Sequence, residues 1–301
     1  MKQKATIGFK GLLQFDKEAG RFPASRAGLI VFLIFLFIAL FAGILAPYGP
    51  NERFAPFESP SHSHLLGTND MGHDILTELI YGSRVSLLVG ILTACLATGL
   101  GLVIGLVSGY FRGITDEVLM AVTDIFLMIP RIPLVIICAV FLRSSYWLII
   151  LVLGLLWWTT PVRIVRSKIL QIREMGFVIS AETLGFSKFH ILFSEILPNT
   201  VFVIIPKFML TVASAMIAEA SLSFLGLGDP SSKSWGMMIR YAFERGGFIR
   251  DMWWWYIPPG LCITVCVLSI VLMSFSLENS VDRFTDFFRG LIPSFTGMRR
   301  D

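Results

Sequence analysis

Apolar and polar positions divide the chain into long uncharged runs separated by charged segments. The first run, Ala27 to Ala46, carries no charge and stops at Pro47-Tyr48-Gly49-Pro50. A second extends uncharged from Val85 to Phe111. The third, about 117–142, is interrupted by Asp124, Arg131, Pro130 and Pro133. The fourth covers Tyr146 to Val162, and the fifth, about 200–227, contains Lys207 and Glu219. The sixth is uncharged from Met252 to Leu277. Roughly 20 apolar residues make a helix that crosses a bilayer, so the pattern predicts an all-α integral membrane protein with six transmembrane helices.

The segments between the runs give the expected orientation. Lys2, Lys4, Lys10, Lys17, Arg21 and Arg26 occupy a tail over 1–26, and Arg163, Arg166, Lys168, Arg173 and Lys188 follow the fourth run. Arg283, Arg289, Arg299 and Arg300 fall in a second tail over 278–301. The loop over 47–83 has Arg53 against Glu52, Glu58, Asp70, Asp74 and Glu78. The excess of basic residues on one side predicts that both termini are cytoplasmic. Lys233, Arg240, Arg245 and Arg250 in the loop over 228–251 weaken the asymmetry without reversing it. A cleaved leader is not expected, because the first apolar run starts late and is too long.

One segment between the fourth and fifth runs is too polar to span and too apolar for an ordinary loop. In 177–199, Phe177, Val178, Ala181 and Leu184 follow helical spacing. Gly185 is a natural helix stop. Ser187 is placed to start a second short helix, and Pro198 to break the chain before the fifth span. Such a helix lies on a lipid surface or in a groove of a cytoplasmic partner. The mixed signs of Glu182, Lys188 and Glu195 favour the groove.

Composition agrees: hydrophobic residues make up 55% and charged residues 15%, outside the usual globular mix. The four cysteines, Cys95, Cys138, Cys262 and Cys266, all lie in apolar runs and read as small buried side chains. No basic patch interleaved with aromatics suggests nucleic acid. Gly101, Gly105 and Gly109 form one stripe suited to close helix packing. Met252-Trp253-Trp254-Trp255-Tyr256 fits an interfacial aromatic belt.

Charges inside spans are costly and mark candidate functional positions. Asp124 and Arg131 are seven apart on one helix, about 10 Å along its axis at 1.5 Å per residue, too far for direct pairing. Pro130 and Pro133 are expected to kink that helix. Asp124, Arg131 and Glu219 are candidates for a translocation path or a subunit interface. His62, His64, His73, Asp70 and Asp74 crowd one loop, but their spacing matches no compact ligand set, and no metal site is assigned. A membrane enzyme would need a nucleophile, a paired acid and base, or a metal constellation within the spans, and an Asp124–Glu219 carboxylate pair is the one such candidate.

Three segments carry a resemblance. Residues 184–199, "LGFSKFHILFSEILPN", resemble the cytoplasmic loop of bacterial ABC-importer permeases. His64–Gly90, "HLLGTNDMGHDILTELIYGSRVSLLVG", and Glu219–Ile239, "EASLSFLGLGDPSSKSWGMMI", are similar to blocks of the C-type permeases of dipeptide, oligopeptide and nickel importers. The resemblance implies the type I ABC-importer permease fold with a cytoplasmic coupling helix in a bacterial inner membrane. It implies a homologous B-type permease partner, two ATPase subunits that bind ATP and Mg, and an extracytoplasmic solute-binding protein. No phosphate loop of the Gly-x-x-x-x-Gly-Lys-Ser/Thr type occurs in the chain, in keeping with a separate ATPase. The expected cargo is a di- or oligopeptide, with nickel or another small solute as the alternative.

The implied coupling residues are Phe177, Val178, Ile179, Ala181, Glu182, Leu184 and Gly185. The chain departs from the family's pattern at four places. Ile179 stands where a Glu is usual, Glu182 where a basic or polar residue is common, Asn69 where an Asp is usual, and His73 where an Arg is usual. The first departure implies docking that rests more on apolar contact, or an ATPase of different charge.

Overall fold

The computed structural model describes residues 23–141 and 145–291, with side chains placed between Ser25 and Leu277. The basic side chains of both tails, apart from Arg26, lie outside these described residues. Among them, regular structure is helical apart from one isolated bridge between Thr68 and Asp74. Three helical stretches, Ile75–Phe111, Lys188–Phe224 and Trp253–Leu277, are each long and apolar enough to cross a membrane. Two bent pairs reach that length together, which makes up to five spans by length and composition among the described residues, and a shorter apolar helix covers Ser25–Leu40.

The first apolar run does not form one helix. It turns at Phe41 and resumes as Ala42–Leu45. Arg84, from the next span, donates to the carbonyls of Ala39 at 2.6 Å and Leu40 at 3.1 Å. Its guanidinium thus serves acceptors that a helix end leaves unpaired.

The second-span helix begins at Ile75, well inside the stretch expected as an outer loop. Asp74 caps it, accepting from the Thr77 backbone N–H and hydroxyl, each at 2.8 Å. In its C-terminal half the glycine stripe meets the helix Thr159–Arg173. A Cβ on Gly101 would fall 2.4 Å from Pro161 Cβ, on Gly105 2.7 Å from Val165 Cβ, and on Gly109 3.0 Å from Ile169 Cβ. Residues four apart on one helix meet residues four apart on the other, so the absent side chains set the distance between the two helices.

The third run is two helices, Gly113–Met128 and Arg131–Phe141, bent by 76° across Ile129 and Pro130. The expected kink is therefore a full break, and Asp124 and Arg131 do not share a helix face. The fourth run, Tyr146–Trp157, bends by 41° into Thr159–Arg173, which continues past the expected end at Val162. Pro198 does not interrupt the chain as expected. A wide π turn over Ile191–Ile196, closed by Leu197 N–H on Leu192 O, lies directly ahead of it and takes up the missing donor. The helix runs on to Phe224.

Spans one, two, five and six enclose the main core around Met216, Trp235, Met238, Trp255 and Cys266. Met252 and Trp255 are buried there, with Trp253 exposed, so Met252–Tyr256 is mainly a core cluster rather than the expected belt. The helix Trp235–Glu244, inside the stretch expected as the second outer loop, contributes Trp235, Met238 and Ala242 to this core and closes it at one end.

The loop ahead of Ile75 is tied to the second outer segment by buried polar groups. His64 Nδ1 lies 3.0 Å from Asp74 Oδ1, and Lys233 Nζ bonds both His73 Nδ1 and Glu78. Asn69 donates through Nδ2 to Glu78 Oε1 at 2.8 Å. Its Oδ1 accepts from the backbone of Met71 and His73. An aspartate here would set two carboxylates together, so Asn69→Asp is expected to destabilise the chain by roughly 1–3 kcal/mol. A second change, His73→Arg, would return a cation, and the double variant is expected to recover part of the thermal midpoint. A midpoint unmoved by Asn69→Asp would contradict this account.

Candidate functional site

The segment singled out in the sequence forms the helix Gly176–Thr183. It ends in a Schellman arrangement at Gly185, with φ +78°: Phe186 N–H bonds Ala181 O at 3.1 Å and Gly185 N–H bonds Glu182 O at 3.0 Å. A residue with a Cβ is strained at that φ, which explains the glycine.

The inner face of this helix is covered by the chain itself. Val178 is 0% exposed, and it and Ala181 pack with Ile169, Ile172, Ile191, Leu192 and Ile196. These two residues, expected among the docking contacts, are instead what fixes the helix to the span ends. Phe177, Ile179, Glu182 and Leu184 face outward, with Leu184 76% exposed. Phe186, Phe189 and Phe193 extend the same exposed apolar surface, with Phe189 at 72%. Sequence reasoning passed over these three, although their spacing of three and then four is itself helical. Beside them a cavity of about 290 Å³ is lined by Tyr110, Phe111, Arg173, Glu182, Phe186 and Lys188. Arg173 fixes one wall, donating to Tyr110 O at 2.7 Å with its guanidinium over the Tyr110 ring.

The charged positions inside the spans separate. Asp124 accepts from Arg163 Nη2 at 2.5 Å, and both side chains are about half exposed. About two turns earlier on the helix that carries Asp124, Asp116 receives two bonds from Arg166, each 2.6 Å, and one from Ser108. Arg131 donates to Thr159 Oγ1 at 3.1 Å and Thr160 Oγ1 at 3.4 Å. Glu219 is buried beside the helix Trp235–Glu244, where Oε1 accepts from Ser223 at 2.6 Å and Oε2 has no hydrogen-bond partner among the described residues. Asp124 and Glu219 thus hold different partners and form no carboxylate pair. Arg163 was not singled out from the sequence. A charged side chain facing lipid at a helix centre costs on the order of 3 kcal/mol on insertion scales, which favours water or protein against the face bearing Asp124, Arg131 and Arg163.

Among the described residues no cluster of three or more His, Cys, Asp or Glu could hold a metal ion. His64 and His73 are engaged by Asp74 and by Lys233, respectively.

A helical membrane chain with an anchored, outwardly apolar helix between two spans can be compared with known proteins. Residues 101–287 match the model of the binding-protein-dependent transport system inner membrane component. The chain belongs to this family. Residues 22–64 of the permease match the N-terminal transmembrane domain of oligopeptide transport permease C. It is 33% identical over 272 residues to the oligopeptide transport system permease protein OppC of Bacillus subtilis, covering 88% of each chain. It is 31% identical over 264 residues to the dipeptide transport system permease protein DppC of Haemophilus influenzae, covering 85% of this chain and 88% of that one. A solved structure of the MetNI methionine ABC transporter, in inward-facing conformations, is similar with a TM-score of 0.51 and 18% identity. That match covers 70% of this chain and 95% of the other. The fold is that of a type I ABC-importer permease, a bacterial inner-membrane component whose ATP hydrolysis belongs to separate subunits.

Proposed function

We propose that this permease is the C-type subunit of an ATP-driven importer of di- or oligopeptides. It forms the translocation path with a homologous B-type permease. Two cytoplasmic ATPase subunits bind ATP and Mg and receive the helix Gly176–Thr183. An extracytoplasmic solute-binding protein delivers the peptide, and both termini of the permease are cytoplasmic. Asp124 and Arg131 belong to the path or to the interface with the second permease, and Glu219 to the closure beneath the outer helix.

The observation that carries this reading is the two-sided helix itself. Val178 and Ala181 anchor it to the ends of spans four and five, while Phe177, Ile179 and Leu184 remain uncovered. A contiguous exposed apolar surface on a protein's aqueous side marks an interaction site, and a rigidly held helix transmits movement of its partner to the spans. Ile179, in place of the usual Glu, suits a contact dominated by apolar surface.

The test is reconstitution in vesicles with the second permease, the ATPases and the binding protein. ATP-dependent accumulation of a dipeptide is the expected result. Accumulation of a nickel chelate or another solute in place of any peptide would overturn the cargo, and uptake that needs no ATP would overturn the coupling.

A further inference from the structure

The helix Thr159–Arg173 carries the guanidiniums of Arg163 and Arg166 and receives that of Arg131 from another helix, and the three charges are treated unequally. Arg163 holds Asp124 and Arg166 holds Asp116. Arg131, placed there by the break at Ile129 and Pro130, reaches only the hydroxyls of Thr159 and Thr160, and among the described residues it has no carboxylate partner. Both of these bonds come from Nη2. The remaining donors of a planar fork are thus free for a ligand, and that fork matches a carboxylate with two parallel bonds.

We propose that Arg131 binds the C-terminal carboxylate of the transported peptide. The inference rests on the peptide-importer reading above. Thr160 and Arg163, three residues apart, lie on one face of their helix, about 5 Å apart along its axis. The unpaired cation therefore sits one turn from a neutralised pair, and the cluster of Arg131, Arg163 and Asp124 carries a single net positive charge. A charge without a counterion is unfavourable in a membrane protein unless water or a ligand meets it. A peptide's carboxylate is its one anionic group that does not vary with sequence. A fixed guanidinium held by hydroxyls can accept it from any peptide, which suits a path that passes many side chains. Thr159 and Thr160 are positioning residues: they orient the fork without neutralising it.

The experiment uses the reconstituted complex with its binding protein saturated by either a dipeptide or its C-terminal amide. The unmodified complex is expected to transport the free acid about tenfold or more faster than the amide, the difference one charge-assisted pair makes. With Arg131→Gln, uptake of the free acid is expected to fall by a similar factor, so that the two forms move equally. Arg131→Lys, which keeps the charge without the fork, is expected to fall between and guards against simple loss of fold. Equal transport of both forms by the unmodified complex would overturn the proposal, as would undiminished selectivity in Arg131→Gln. Failure of Arg131→Gln to co-purify with the second permease would also overturn it, by assigning the guanidinium to an acid of that subunit. If the unmodified complex accumulates neither form, the peptide reading itself fails and the inference falls with it.

Discussion

Replacing Gly105 with leucine is expected to leave the permease without a stable fold. A Cβ at that position would lie 2.7 Å from both Cβ and Cγ1 of Val165 and 3.0 Å from the backbone oxygen of Val162. The obstacle includes main chain, which cannot swing aside as the end of a flexible side chain does. The two helices would have to separate, and Gly101 against Pro161 and Gly109 against Ile169 would lose their contacts with them. Overpacking by one or two carbons costs about 1–3 kcal/mol. A whole leucine against backbone is expected to exceed that range, enough to unfold a protein of ordinary marginal stability. Gly99 supplies the control, because a Cβ there meets nothing within 4 Å. Gly99→Leu is expected to stay within about 0.5 kcal/mol of the unmodified chain, as substitutions away from packed contacts usually do. Thermal unfolding of both variants in detergent is the measurement. A Gly105→Leu midpoint close to that of Gly99→Leu would show that the stripe does not set the helix distance.

The glycine stripe was legible in the sequence because its period is that of a helix and glycine in a span has few other uses. The apolar runs and the stop at Gly185 were legible for the same reason: each is a local signal with a local cause. The failures have a different origin. Spacing showed that Phe177, Val178, Ala181 and Leu184 were apolar, but not which of them the chain would cover with its own Ile169 and Ile191. The exposed Phe186, Phe189 and Phe193 complete the outer face, and they lie beyond the glycine that ended the expected helix. Asp124 and Arg131 were measured along one axis, and the 76° break makes that axis two. The partner of Asp124 is 39 residues away, in a helix that extends past its expected end, so no spacing rule reaches it. Met252–Tyr256 resembled an interfacial belt by composition, yet Trp255 is buried in a core that includes the helix Trp235–Glu244, which the preceding loop was not expected to form.

Leu184→Asp and Val178→Asp, six residues apart on one short segment, are expected to fail in opposite ways. Leu184 touches little of its own chain, being 76% exposed. A carboxylate there is expected to shift the fold's stability by no more than about 0.5 kcal/mol. In the proposed docking the same carboxylate would be carried into an apolar groove on an ATPase, where burying an unpaired charge is expected to weaken binding by on the order of 2 kcal/mol or more, about thirtyfold or more in affinity. Val178 is 0% exposed among Ile169, Ile172 and Ile196. A charge at that point is expected to cost several kcal/mol of folding free energy, and the loss of ATPase binding would follow from loss of the helix. Co-purification of the ATPases, read together with the thermal midpoint of the isolated permease, separates the two. A Leu184→Asp chain that retains both ATPases and couples their hydrolysis to uptake would remove the outward face of the helix from the mechanism. A Val178→Asp chain with an unchanged midpoint would show that the inner face does not anchor it. The coupling helix needs both properties at once, because a docking surface that is not fixed to the spans has nothing to move.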